Sequence, residues 1–187
     1  MKRGFIRALV LGCLMAGSLI STRAQGTIVF NNRLSAIGLD APIGVISGNP
    51  LSVPGPDFMA GLYYNGALIP GAVTTFRDGS ANPLLAKYIN GITVTVPGTT
   101  VGQENVTVEM RVWLAAAGSY EAALASHRGS SGPLLIAKLG GGPDPTVPNH
   151  LPPSFTGFII QVVPEPSTIV LAILGAAILA GRRRRRP

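Results

Sequence analysis

The residues in the middle of this 187-residue sequence that could do chemistry are three glutamates, two histidines and a single tryptophan. Glu104, Glu109 and Glu121 are the groups from which a glycosidase pair would be drawn, one carboxyl to protonate a leaving oxygen and one to act as base or nucleophile. Glu109 stands two residues before Arg111, which places both on one face of a strand and predicts a surface ion pair rather than a free acid. His127 and His150 show no His-x-x-x-His or comparable ligand spacing, so they read as solvated loop histidines and no metal is expected. The run Gly129-Ser130-Ser131-Gly132 lacks the Gly-x-Ser-x-Gly order of a nucleophile elbow. Trp113 is the residue of most interest. Pointing outward beside Arg111, it could stack on a sugar ring. The favoured alternative is that a loop or short helix carrying Tyr120 covers it.

These residues belong to a pattern of period two. Val106, Val108, Met110, Val112 and Leu114 alternate with Thr107, Glu109, Arg111 and Trp113, the signature of a half-buried strand. Ile92, Val94 and Val96 alternate with threonines in the same way, and Asn90-Gly91 predicts a hairpin with Lys87 to Ile89 as the incoming arm. Asn65-Gly66 predicts a second hairpin, between Phe58–Tyr64 and Ala67–Ile69. Further strands are expected at Thr27–Asn31, Val73–Arg77, Leu134–Leu139 and Phe155–Val163. Ser119 is expected to cap a short helix over Tyr120–Ser126. The Gly- and Pro-rich stretch 140–153 reads as a connecting loop. Strands at roughly ten-residue spacing predict an all-β fold, an antiparallel β-sandwich of jelly-roll or immunoglobulin-like type.

The two ends have a different character. Residues 1–24 combine a basic start (Lys2, Arg3, Arg7), an apolar run from Ala8 to Ile20 and Thr22-Arg23-Ala24, the order of a secretory signal peptide cut between Ala24 and Gln25. Cys13, the one cysteine, sits inside that apolar run, which continues past it where a lipoprotein signal would turn polar. Cleavage at Ala24 leaves a body without cysteine, whose stability must come from its core rather than from disulfides.

At the other end Pro164, Glu165 and Pro166 form an extended tether, because each proline fixes its own φ and restricts the residue before it. Ile169 to Gly181 is wholly apolar or small, and thirteen such residues make a helix of roughly 20 Å. That is a short membrane span against a hydrocarbon core of about 30 Å, assisted by snorkelling arginines. Arg182, Arg183, Arg184, Arg185 and Arg186 would stop transfer on the cytoplasmic side.

The segment "VPEPSTIVLAILGAAILAGRRRRR" resembles the PEP-CTERM sorting signal of exopolysaccharide-producing Gram-negative bacteria, which places Pro-Glu-Pro, an apolar helix and an arginine cluster in this order. The resemblance implies recognition by an exosortase, a membrane-embedded cysteine protease or transpeptidase. It further implies removal of the tail near Pro164, Glu165 and Pro166, and delivery to the cell surface or matrix. "QGTIVFNNR" and "VTVEMRVWLAAAGSYEAAL" resemble the bodies of other exported PEP-CTERM proteins, a likeness that brings no activity with it.

The formal charge of +7 is concentrated at the ends. From residue 25 to 163 the chain has six basic and seven acidic residues, so no basic patch argues for nucleic acid. The expected organisation is a signal peptide (1–24), a β-sandwich body (25–163) and a sorting signal (164–187). The body is expected to be a non-enzymatic surface or matrix protein without a cofactor. Signal peptidase, exosortase and the membrane are its expected processing partners, with exopolysaccharide as a further candidate. A sugar-binding module using Trp113 and a secreted glycan hydrolase are the alternatives.

Overall fold

The computed structural model describes residues 24–47, 53–141 and 149–162. The expected signal peptide with Cys13, the Pro164-Glu165-Pro166 motif, the expected membrane helix and Arg182–Arg186 lie outside the described residues. Among the described residues no helix is long and apolar enough to cross a membrane.

Among the described residues the fold is all-β, with eleven strands: β1 (Thr27–Phe30), β2 (Arg33–Leu34), β3 (Leu39–Asp40), β4 (Ile43–Ser47), β5 (Phe58–Tyr64), β6 (Ala67–Thr75), β7 (Ile92–Thr95), β8 (Glu104–Leu114), β9 (Arg128–Lys138), β10 (Asn149–His150) and β11 (Phe158–Val162). The largest sheet is antiparallel, in the order β6-β5-β8-β9. Its centre is the strand with the clearest alternation in the sequence. Val106, Val108, Met110 and Val112 are buried on the inner face and meet Ala60 and Leu62 of β5 and Leu134 and Ile136 of β9 in one core. Residues of β1, β4, β7 and β11 complete that core, among them Ile28, Phe30, Ile43, Val45, Val94 and Ile160.

The Asn65-Gly66 hairpin forms as expected. Both residues have positive φ, 50° and 79°, the backbone that a type I′ turn requires and that Asn and Gly tolerate. The Asn90-Gly91 hairpin does not form. Lys87 ends a 3₁₀ turn (Pro83–Lys87), and Ile89 bridges Phe76 instead. Asn90 is tied to β6: its N–H donates to the Thr75 carbonyl at 2.9 Å and its side chain to Thr75 Oγ1 at 2.9 Å. β7 is then free to pair with β1, antiparallel from Thr27↔Thr95 to Phe30↔Ile92.

The expectation of a purely antiparallel body is also corrected. β1 pairs in parallel with β10, and β4 in parallel with β11 from Ile43↔Phe158 to Ser47↔Val162. Val73–Thr75 and Ala67–Ile69 are parts of one bulged strand, β6; the strand expected to Arg77 stops there, with Phe76 in an isolated bridge to Ile89. The helix expected over Tyr120–Ser126 is absent. Two 3₁₀ turns (Ala115–Ala117 and Ala125–His127) flank an irregular segment there. Ser119 nevertheless caps it, its hydroxyl accepting from the Ala122 N–H at 3.2 Å.

Candidate functional site

The outer face of the four-stranded sheet gathers most of the chemically capable residues. Alternation sends Met59, Gly61 and Tyr63 of β5 outward, opposite Trp113, Arg111 and Glu109 of β8. Gly61 leaves room for the indole. A Cβ there would lie 3.0 Å from two ring carbons of Trp113 and 2.9 Å from Leu68 Cδ1. The segment 115–127 then folds across this face. Ala123 is buried against Trp113 and Tyr63, with Tyr120, Ala117, Val73 and Met59 packed around them. Trp113 is consequently 2% exposed. The sugar-stacking role considered for it is corrected on this ground: both ring faces are occupied by protein, as the covered-face alternative anticipated.

Arg111 is the electrostatic centre of the cluster. Its guanidinium pairs with the Glu109 carboxylate at 2.7 Å and lies 3.8 Å from that of Glu121. It also stands 4.2 Å from the centre of the Tyr63 ring and 5.0 Å from that of Tyr120, both cation–π distances. Arg128 covers Tyr120 at 4.9 Å and donates to the Tyr120 carbonyl at 2.9 Å, which fixes the covering segment to β9.

The titration behaviour follows from these contacts. Burial alone would raise the Glu109 carboxyl, but hydrogen bonds from Arg111 and Ser130 and the Arg111 charge outweigh it and hold it below the usual value. Burial pushes the Tyr63 phenol up to about 12; Glu121 adds to the shift and Arg111 opposes it. The Trp113 indole N–H is buried without a hydrogen-bond partner.

A general acid needs a raised pKa, and Glu109 moves the other way. Glu104 starts β8 opposite Lys138, five residues from Glu109, which is about 16 Å along an extended strand and beyond the ~5–9.5 Å of a glycosidase pair. A depression of about 280 Å³ opens beside the cluster, between the Asn65-Gly66 turn, Thr107 and Pro133. The charged group in its wall is Glu109, already committed to Arg111.

Ser131 is used by the ladder itself. At the irregularity between Glu109 and Arg111 its hydroxyl accepts from the Met110 N–H at 3.0 Å and donates to the Gly132 carbonyl at 2.7 Å. The histidines are not the solvated loop residues expected. His127 closes a 3₁₀ turn and is half-buried, while His150 lies on β10 beside Val29 with its Nδ1 buried. Among the described residues no group of three or more His, Cys, Asp or Glu could hold a metal ion. Tyr63 and Arg128 were not singled out in the sequence; the alternation of β5, read outward from Gly61, is the signal that finds Tyr63.

The other functional element adjoins β11. Ala24 and Gln25, at the expected signal cleavage point, are exposed and immediately precede β1. A tail of tether, apolar run and arginine cluster belongs to exported proteins sorted through the membrane. Residues 162–186 match the PEP-CTERM protein-sorting motif. The motif marks an exported protein whose membrane-anchored precursor is processed by an exosortase for the cell surface. No curated protein and no solved structure matches the chain.

Proposed function

We propose that this chain is a non-enzymatic protein of the cell surface or extracellular matrix, exported by its signal peptide and released from its anchor by cleavage at Pro164-Glu165-Pro166. The observation that carries the reading is the sorting motif at residues 162–186, joined directly to the last strand of the body. The body is read as a two-layer sandwich, with the four-stranded sheet as one layer. Its carboxylates favour a structural role, since Glu109 and Glu121 both face Arg111. Signal peptidase would act between Ala24 and Gln25, two residues ahead of β1.

Mass spectrometry of surface and membrane fractions tests the reading. The surface form is expected to start at Gln25 and to lack Arg182–Arg186. A surface form that still ends at Pro187 would make the tail a permanent anchor. Turnover of any glycan that is lost in Glu109→Gln would overturn the non-enzymatic assignment.

A further inference from the structure

Strand β11 lies between the core and the sorting tail, and this position constrains cleavage. The matched motif begins at Val162, which is also the last residue of the β4–β11 ladder, opposite Ser47. Pro164 follows Val162 by two residues in the sequence, so a cut near Pro164–Pro166 falls within a few residues of the ladder. A protease that takes its substrate as an extended strand needs several residues before the scissile bond free of other pairing. For a cut near Pro164–Pro166 those residues are Ile160, Gln161 and Val162, and all three are paired with β4.

The strand is firmly held on one side and lightly on the other. Inward, Ile160 is 1% exposed, and it packs with Phe158 so closely over Gly129 that a Cβ there would lie 3.0 Å from Ile160 Cγ1. Outward, Ile159 and Ile46 are 54% and 36% exposed. The ladder itself has two strands and is parallel, the weaker arrangement per residue.

We infer that β11 detaches from β4 when the tail is cut, so that Phe158–Val162 is part of the surface read by the sorting protease. The inference rests on the proposed reading of the tail as a cleaved signal. The rate of sorting then follows the population of the open strand, because an enzyme that acts on a locally opened segment reports the opening equilibrium.

The test uses the full-length chain in a cell that exports and sorts it. Gly44 and Ile159 are register partners on β4 and β11. Strands about 4.8 Å apart fall within the ~4.4–6.8 Å between Cα atoms that a disulfide spans. The double variant Gly44→Cys/Ile159→Cys, oxidised after export, is expected to accumulate as full-length precursor, with cleavage at least tenfold slower and restored by a reducing agent. Val45→Ala, on β4 opposite Ile160, loosens the ladder without altering β11 and is expected to be cleaved about threefold faster or more. Equal cleavage of the oxidised and reduced double variant, with the disulfide verified by mass, would overturn the inference. So would Val45→Ala cleaved at or below the wild-type rate. An uncleaved wild type is a different failure: it refutes the reading of the tail itself.

Discussion

Replacing Trp113 with alanine separates a structural indole from a binding one. The side chain is 2% exposed and packs with Tyr63 and Ala123, with Met59, Val73, Ala117 and Tyr120 around them. Truncating a buried aromatic of this kind costs about 3–5 kcal/mol, transfer and cavity together. An exposed stacking residue would cost within about 0.5 kcal/mol. For a body of this size the buried case lowers Tm by roughly 10–15 °C. Phenylalanine makes the comparison sharper. It keeps most of the packing and removes an indole N–H that is buried without a partner. Trp113→Phe is therefore expected to lie within about 1 kcal/mol of wild type, since an unsatisfied buried donor itself costs ~1–3 kcal/mol. Urea titrations of the body from Gln25 to Val162 measure all three proteins. A loss below about 1 kcal/mol in Trp113→Ala would refute the covered-face argument.

Three further outcomes follow from the same geometry. Gly61→Ala forces a methyl against the indole and Leu68, at 3.0 and 2.9 Å, and is expected to destabilise by about 1–3 kcal/mol in the same titration. Glu109 has a lowered folded pKa, so its contribution is present above the unfolded carboxyl value and lost as pH falls through the folded one; acid titrations of wild type against Glu109→Gln should show that the variant loses less stability over this range. On the proposed reading of the tail, Pro164→Ala/Pro166→Ala would remove the two residues that stop a helix from extending back from the apolar run, and immunoblots of membrane fractions should show it retained at full length.

The central strand was legible because its two faces differ in kind: Val106, Val108, Met110 and Val112 alternate with polar neighbours, and burial follows that alternation. The Asn65-Gly66 turn was legible because its backbone demands those two residues. Asn90-Gly91 carries the same letters, yet long-range hydrogen bonds to Thr75 and Phe76 decide its conformation. The alanines of 115–125 favour a helix by propensity, but Arg128 and the sheet beneath hold that segment in another shape. β4 was not anticipated at all. Five residues after Pro42 carry little period, and the strand exists through its pairing with β11, which local sequence does not encode. Within the candidate site, the Glu109–Arg111 pair was readable from spacing alone, whereas Tyr63 and Arg128 join it through strand register.

The pairing of β4 with β11 also bears on how the chain reaches its native state. Ile43 and Phe158 are register partners separated by roughly 115 residues, a contact of very high order that forms slowly. Until β11 has emerged from the translocation channel, β4 is an unpaired, uncharged edge with Ile43 and Val45 awaiting cover. Such an edge is a template for association with other chains. Folding after export is thus a race between arrival of the last strand and capture of the fourth, and a holding factor that shields β4 would raise the yield of displayed protein.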